Sequence, residues 1–234
     1  MNNLQQYDRL AAQWWDESSP FRDLLLLNAP RFCFFDEFIN DWRGKAVLDL
    51  GCGGGFASEE MTRRGASVVG VDPAGELLGV ARLHAGKAGL SIDYRQGSGE
   101  QIPAPDASFD VVVCVDVLEH VSDLSKVLSE VHRVLKPGGL FLYDTINRTA
   151  FSFLWMILML EWVAGRIPRG THDWRMFIKP KEIREHLVRS GLEHLEHGGI
   201  SIRSLRLERF NIVPSFRISK TNFSGVYVGA ARKS

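Results

Sequence analysis

The chain of 234 residues is long enough to bury a continuous core without disulfide bonds or a structural metal ion. Its 45% hydrophobic and 24% charged residues are typical of a globular protein, and they exclude wholesale disorder and an integral membrane protein. Its 28 basic and 28 acidic residues balance, so the chain lacks the positive charge typical of nucleic-acid binders, and we expect no nucleic-acid partner.

The N-terminal part predicts a helical cap and no targeting segment. Residues 1–42 carry Trp and Phe at helical spacing, which predicts helices packed on a sheet. The first residues, MNNLQQYDRL, have neither a basic stretch followed by an apolar one nor an Arg-rich, acid-poor composition. The three cysteines lack C-x-x-C spacing and indicate neither a disulfide framework nor a zinc site. We therefore expect a cytoplasmic protein.

Residues 45–145 alternate between strand-like and helix-like segments, which is the rhythm of an α/β sheet. The fourth strand-like segment is the most apolar and is predicted to lie centrally. The helix after it, SDLSKVLSEVHRVL, is predicted to begin with Ser122 as its N-cap and to end at the breaker KPGG, residues 136–139. The predicted strands are KAVLDL (45–50), SVVGVD (67–72), SIDYRQ (91–96), FDVVVCV (109–115) and GLFLYDT (139–145).

The remainder of the chain completes the same unit. Residues 146–190 indicate a helical insertion, and the tail from residue 192, which ends in YVGAAR, indicates closing strands. We therefore expect one domain over residues 1–234.

The insertion contains the apolar run FLWMILML, residues 153–160. A membrane span needs about 20 apolar residues, and Glu161 interrupts this run, so it does not span. Trp155, Trp162 and flanking arginines favour a helix, residues 151–164, that lies at the bilayer surface and makes peripheral membrane contact. The alternative is a helix buried in its own domain or in a dimer.

A glycine-rich loop, GCGGG, follows the first predicted strand and opens a helix, so its backbone can approach a ligand closely. The dinucleotide fingerprint would require glycine where Phe56 stands, and Asp49 precedes the loop. An acidic side chain here repels a pyrophosphate but suits a ligand with an amino group and a sulfonium. The loop therefore predicts S-adenosylmethionine as the cofactor, with Asp49, Gly51 and Gly53 in its site.

Two further residues are candidate cofactor contacts. Asp72 ends the second predicted strand, where an acidic side chain accepts hydrogen bonds from ribose hydroxyls, although a turn Asp before Pro73 is the alternative. The segment GSGEQIPAPDASFDVVV resembles the class I methyltransferase stretch before the fourth strand. Ser98 stands where that class commonly has an adenine-binding Asp, so we retain it as a candidate adenine contact.

Nearly the whole chain resembles one family, the ubiquinone-biosynthesis O-methyltransferases, which methylate catechol-type polyprenyl intermediates. The resemblance implies a seven-stranded class I fold and cofactor contacts at Arg31, Gly51, Asp72 and Val115. The matching segments are QWWD (13–16), NAPR (28–31), LDLGCGGG (48–55), ARLHA (81–85), VLEHVSD (117–123), LKPGG (135–139), INR (146–148) and IPRGTHDW with FIKP (167–180).

The segment CVDVLEHV, residues 114–121, carries a candidate metal site. If a helical turn follows the strand, Asp116, Glu119 and His120 lie at i, i+3 and i+4 and converge. Such a set suits Mg²⁺ or Zn²⁺, which a catechol would chelate and which would lower the phenol pKa from about 10. The alternative is that the pair Glu119-His120 only lines the site, as in many metal-free methyltransferases.

His172 and Asp173, in RGTHD, are a second pair of candidate catalytic residues. They are predicted to reach the same cleft from the insertion and to orient or deprotonate the acceptor hydroxyl. A structural hydrogen-bonded pair is the alternative. Without a metal, His120 or His172 is the candidate base.

The resemblance implies transfer of a methyl group to a phenolic hydroxyl of a polyprenylated quinone precursor in ubiquinone biosynthesis. Another lipophilic phenol or a natural product is the nearest alternative acceptor. The alternative of a different class is a protein that binds the cofactor and acts as a partner in a membrane-associated biosynthetic complex.

Overall fold

The computed structural model describes residues 10–16, 19, 21–163, 170–208 and 211–234. The strands are β1 (Ala46–Leu50), β2 (Ser67–Asp72), β3 (Asp93–Gln96), β4 (Phe109–Cys114), β5 (Leu135–Ile146), β6 (Leu192–Glu208), β7 (Asn211–Ser219) and β8 (Val226–Lys233). The helices are α1 (Arg22–Phe35), α2 (Phe56–Arg63), α3 (Gly75–Lys87), α4 (Leu124–Val134), α5 (Ala150–Ser152), which continues as a π-helix (Phe153–Val163), and α6 (Pro180–Arg189). Short 3₁₀ turns span Ala11–Gln13, Leu118–His120 and Trp174–Met176.

All eight strands form one sheet in the order β3-β2-β1-β4-β5-β8-β6-β7. The first five run parallel, and β8 lies antiparallel between β5 and β6. The α/β fold is thus confirmed, with eight strands in the described residues where the family resemblance implies seven. The extra edge strand is β7, which follows β6 in the chain and pairs antiparallel with it as a long hairpin.

Strand β4 lies in the middle of the parallel part, and its apolar side chains explain that position. Val112 and Val113 point to opposite faces, and both are fully buried. On one face the core is closed by α4 and α6, and on the other by α1 and α2. The active-site candidates follow the carboxyl ends of these strands, where ligands bind in open α/β sheets.

The start of α4 differs from the predicted one by a residue. The carboxylate of Asp123 accepts the N–H of Lys126 at 3.0 Å, so Asp123 is the N-cap. The hydroxyl of Ser122 donates instead to Glu100 at 2.9 Å. The predicted Ser122 cap is therefore wrong.

Helix α4 ends before the breaker KPGG, as predicted, but the next strand begins before KPGG and not after it. Strand β5 already starts at Leu135, which pairs with Phe109, and the pairing resumes with Leu140 opposite Val111. Residues 136–139 form an irregularity within the strand, and Gly138 there adopts a positive φ of 72°. Among the described residues, no helix is long and apolar enough to cross a membrane.

Candidate active site

The glycine loop between β1 and α2 is packed so closely at Gly51 and Gly54 that no side chain fits at either position. Gly51 has a φ of +76°, and a Cβ there would lie 2.2 Å from Cγ2 of Val117. A Cβ on Gly54 would lie 2.3 Å from the ring of Trp14. The loop is therefore held between the segment after β4 and the N-terminal cap, and glycine is required at these positions.

Asp49 is buried in β1 with one carboxylate oxygen unused. Its Oδ2 accepts the hydroxyl of Ser58 at 2.5 Å, whereas Oδ1 is buried without a hydrogen-bond partner among the described residues. Burial raises the pKa of Asp49 to about 7, and the nearby carboxylate of Asp72 adds to the rise. An ammonium group would satisfy this oxygen and stabilise its charge, so Asp49 fits the amino group of S-adenosylmethionine.

Asp72, at the end of β2, faces the glycine loop. Its Oδ2 accepts the N–H of Gly53 at 2.9 Å, and its Oδ1 accepts the N–H of Ala74 at 2.8 Å. Gly97 donates its N–H to the backbone oxygen of Asp72 at 3.1 Å, which brings neighbouring Ser98 to the same edge of the sheet. The structure thus groups the two candidates beside the loop, and their contacts to ribose and adenine remain predictions.

Arg31, from α1, is buried between two carboxylates. Its Nε donates to Oδ2 of Asp144 at 2.5 Å, and its Nη2 lies 2.5 Å from Oδ2 of Asp116. Burial lowers the pKa of Arg31, but the two carboxylates outweigh this and raise it above its ordinary value. Val115 follows β4 and packs half-buried against the core that contains α1. Contacts of Arg31 and Val115 to the cofactor remain predictions.

The three candidate metal ligands do not converge in this structure. Asp116 has a left-handed φ of 57°, its N–H donates to Asp144, and its carboxylate is directed at Arg31. Glu119 accepts the hydroxyl of Thr145 at 2.7 Å.

The predicted spacing assumed a helical turn from residue 116, whereas the 3₁₀ turn covers only Leu118–His120. Among the described residues, no group of three His, Cys, Asp or Glu side chains is arranged to hold a metal ion. The predicted metal set at residues 116, 119 and 120 therefore does not fit a bound ion in this geometry.

A buried cluster of titratable side chains lies at the same end of the sheet. Burial, followed by the charge of Asp116, raises the pKa of Glu119 to about 7. Burial, followed by the neighbouring His172, lowers the pKa of His120 to about 3. The rings of His120 and His172 stack with centroids 5.4 Å apart. The structure therefore brings together the two candidate bases, one from the core sheet and one from the insertion.

His172 and Asp173 bind different partners, so the alternative of a structural hydrogen-bonded pair between them is wrong. Nδ1 of His172 lies 2.7 Å from Oε1 of Glu161, and both residues are buried. Asp173 is partly exposed and binds Arg175 at 2.7 Å, which lowers the pKa of its carboxyl to about 2. Asp173 also caps the 3₁₀ turn that begins at Trp174, because its carboxylate accepts the backbone N–H of Arg175 at 3.0 Å. Its catalytic role remains a prediction.

Comparison with known proteins gives the family. A methyltransferase domain family matches residues 48–143. A ubiquinone biosynthesis O-methyltransferase from Hahella chejuensis is 44% identical over 209 residues, which are 89% of this chain and 87% of that protein. The protein of the same name from Marinobacter nauticus is 41% identical over 203 residues, which are 86% of this chain and 85% of that protein. The chain belongs to the ubiquinone biosynthesis O-methyltransferase family.

The protein is therefore an S-adenosylmethionine-dependent methyltransferase. Magnesium protoporphyrin IX methyltransferase from Synechocystis PCC 6803, solved with bound SAH, has a TM-score of 0.60 to this structure at 18% identity. The match covers 100% of this chain and 89% of that chain. At this identity the likeness shows the fold alone.

In this member of the family, sequence reasoning missed Glu161. We interpreted it only as an interruption of the apolar run, but its side chain is 1% exposed and holds three hydrogen-bond donors. The one available signal was that Glu161 is the single charged residue in the span 149–163. Its partners are Gly170 and His172. Sequence spacing alone does not predict that this later segment folds back onto the π-helix.

The apolar run itself faces outward. Leu154 is 52% exposed, Trp162 56% and Val163 68%. A helix buried in its own domain is therefore the wrong interpretation for these side chains. An apolar surface of this kind typically marks contact with a protein, a membrane or a ligand, so the membrane and dimer alternatives remain open.

Proposed function

We propose that this protein transfers a methyl group from S-adenosylmethionine to a phenolic, catechol-type hydroxyl of a polyprenylated quinone precursor in ubiquinone biosynthesis. The relatives at 41% and 44% identity that carry this pathway's name support the acceptor class. The observation that carries the chemistry is the stacked pair His120 and His172, half-buried near the carboxyl ends of the strands, where the segment after β4 packs on the cofactor loop.

The acceptor hydroxyl must lose a proton near neutral pH, because a phenol has a pKa of about 10. When bound, S-adenosylmethionine supplies an electrophilic methyl group to the acceptor oxygen, and its sulfur keeps the electrons of the broken bond. Burial lowers the pKa of His120 to about 3, which makes it a weak base, whereas the imidazole of His172 is held by the buried carboxylate of Glu161 at 2.7 Å, so we take His172 as the proton acceptor. His172 then releases the proton to solvent.

Acceptor choice tests the proposal. The purified protein is given labelled S-adenosylmethionine with a prenylated catechol, the same catechol without its tail, or an unrelated lipophilic phenol. We expect transfer to the prenylated catechol with the highest kcat/KM. Equal transfer to the unrelated phenol would favour the natural-product alternative. No transfer in protein that binds the cofactor would favour the role as a partner in a biosynthetic complex.

A divalent metal is the second route by which the hydroxyl could lose its proton. The contacts of Asp116 and Glu119 do not support it, so no step is assigned to a metal here. Turnover is measured after chelation and after return of Mg²⁺ or Zn²⁺. Turnover regained only with metal would show that residues 116, 119 and 120 rearrange into a ligand set, whereas turnover without metal would leave His172 as the base.

We also propose that residues 151–163 lie on a bilayer surface as a peripheral contact; residue 164, the last of the predicted segment, lies outside the described residues. The outward-facing apolar side chains, with Trp155 and Trp162 among them, support this placement. A substrate with a long isoprenoid tail partitions into the bilayer, so an enzyme at the surface can meet it there.

A further inference from the structure

We propose that Glu161 is a positioning residue for His172: its carboxylate fixes the tautomer of the imidazole and stabilises the positive charge that develops as His172 takes the acceptor proton. The proposal rests on the proposed function, in which His172 is the base.

Three donors converge on the Glu161 carboxylate. Its Oε1 accepts the backbone N–H of His172 at 3.0 Å and lies 2.7 Å from Nδ1 of the same residue. Its Oε2 accepts the backbone N–H of Gly170 at 2.8 Å. The carboxylate therefore ties the RGTHD segment to the π-helix through both the backbone and the imidazole ring.

The burial of Glu161 is the opposite of what its segment predicts. The carboxylate is buried, while the apolar neighbours Leu158 and Trp162 are 44% and 56% exposed. Burying a charge is unfavourable unless it is paired and hydrogen-bonded. The π-helix nevertheless buries the Glu161 carboxylate and leaves Leu158 and Trp162 exposed. This arrangement points to a specific requirement for a carboxylate at position 161.

The contacts define what the imidazole can do. With Oε1 on Nδ1, the proton of neutral His172 lies on Nδ1 and Nε2 is the basic nitrogen. The ring is held by His120 on one side and by the ring of Phe177, whose centroid is 5.8 Å away at 71°. Glu161 thus sets both the tautomer and the orientation of His172.

The proton transfer balances without any further reactant. Nε2 of His172 takes the proton of the acceptor hydroxyl, and the oxygen forms a bond to the methyl carbon as the carbon–sulfur bond breaks. The sulfur keeps the bonding electron pair, and the imidazolium, paired with Glu161, gives its proton to solvent. A carboxylate in this arrangement holds the imidazole in place and stabilises its charged form.

A double-mutant cycle tests whether Glu161 acts through His172. Glu161→Gln is expected to lower kcat about 10²-fold, within the range for acid–base groups, with an unchanged Kd for S-adenosylmethionine. In a His172→Ala background, the same change is expected to have no further effect. An equal loss in both backgrounds would assign Glu161 a structural role and overturn the proposal. Glu185→Gln, an exposed carboxylate on α6, is the matched control and should retain wild-type kcat.

One measurement needs no variant. Nitrogen-15 NMR of His172 in the wild-type protein should show the proton on Nδ1, and a proton on Nε2 would overturn the proposal even if Glu161→Gln fails to fold. Failure of the proposed function is distinguishable, because it would appear as absence of catechol methylation by the wild-type protein, whereas failure of this inference appears in the tautomer and the cycle. Full turnover by His172→Ala would also overturn the inference and leave the methyl transfer intact.

Discussion

At Asp49, one buried oxygen accepts a hydroxyl and the other has no donor among the described residues. A charged carboxylate in this position destabilises the free protein and prepares it for a cation. The sequence alone predicts the role of Asp49. Its place before the glycine loop is fixed by β1, and its negative charge favours S-adenosylmethionine over a ligand with a pyrophosphate. It does not predict Glu161, whose role depends on residues 170–172 returning to the π-helix.

Asp49→Asn is expected to weaken S-adenosylmethionine binding about 10- to 100-fold, which is the range for one hydrogen bond to a charged group. Because the wild-type pKa is about 7, wild-type affinity should rise as the pH increases through that value, and the variant's affinity should not. Calorimetric titration on either side of neutral pH measures both. An unchanged Kd in the variant would contradict the assignment of Asp49 to the amino group.

The ionisation of Asp49 also changes the stability of the folded protein with pH, and the direction of that change is fixed. The folded-state pKa of Asp49 is raised from 3.8 to about 7, so its ionisation destabilises the folded state as the pH rises through this window. The Tm of Asp49→Asn relative to wild type should therefore increase from about pH 5 to about pH 8. A constant difference in Tm across this range would show that Asp49 is not the group responsible.

At the scale of elements, the N-terminal cap lies on the cofactor loop. The ring of Trp14 packs on Gly54, and the indole N–H of Trp15 donates to the backbone oxygen of Gly54 at 2.9 Å. The sequence predicts the cap and the parallel strands, because periodicity and apolar runs determine them locally. It does not predict the β6–β7 hairpin or the irregularity at residues 136–139, because both are set by pairing between strands.

This packing makes Trp14 a reporter of cofactor binding. Its buried indole N–H has no hydrogen-bond partner among the described residues, so a ligand at the loop changes its surroundings. Addition of S-adenosylmethionine should change the tryptophan fluorescence of the wild-type protein, and most of this change should be lost in Trp14→Phe. Trp42→Phe, which removes an indole bound to Asp36, is the control and should keep the change. An undiminished signal in Trp14→Phe would place the ligand away from the cap.

At the scale of the whole molecule, the apolar run exposes large side chains such as Leu154 and Leu158 at the surface. Composition and net charge predict a globular protein and give no sign of which surface stays apolar. The sequence locates the run and rules out a membrane span by its length, but only the structure shows that Leu154 and Leu158 are exposed and Glu161 is buried.

Leu158→Glu is expected to lower recovery of the protein with floated anionic liposomes about tenfold or more. It replaces an exposed apolar side chain, which the proposed contact would bury in the bilayer, with a charge that anionic headgroups repel. Leu83→Glu is the matched control: Leu83 is also exposed but lies on α3, outside the run, and recovery should match wild type. If Leu158→Glu floats like wild type but changes the oligomeric state in light scattering, the run covers a second copy of the chain and not a membrane.

The most direct test of the account is methyl transfer to a short-tailed prenyl catechol, with the product identified by mass spectrometry. We expect wild type to make a catechol mono-methyl ether and an equal amount of S-adenosylhomocysteine, and His172→Ala to make much less of both. Protein that binds S-adenosylmethionine and yet forms no methyl ether, with or without added Mg²⁺ or Zn²⁺, would contradict it.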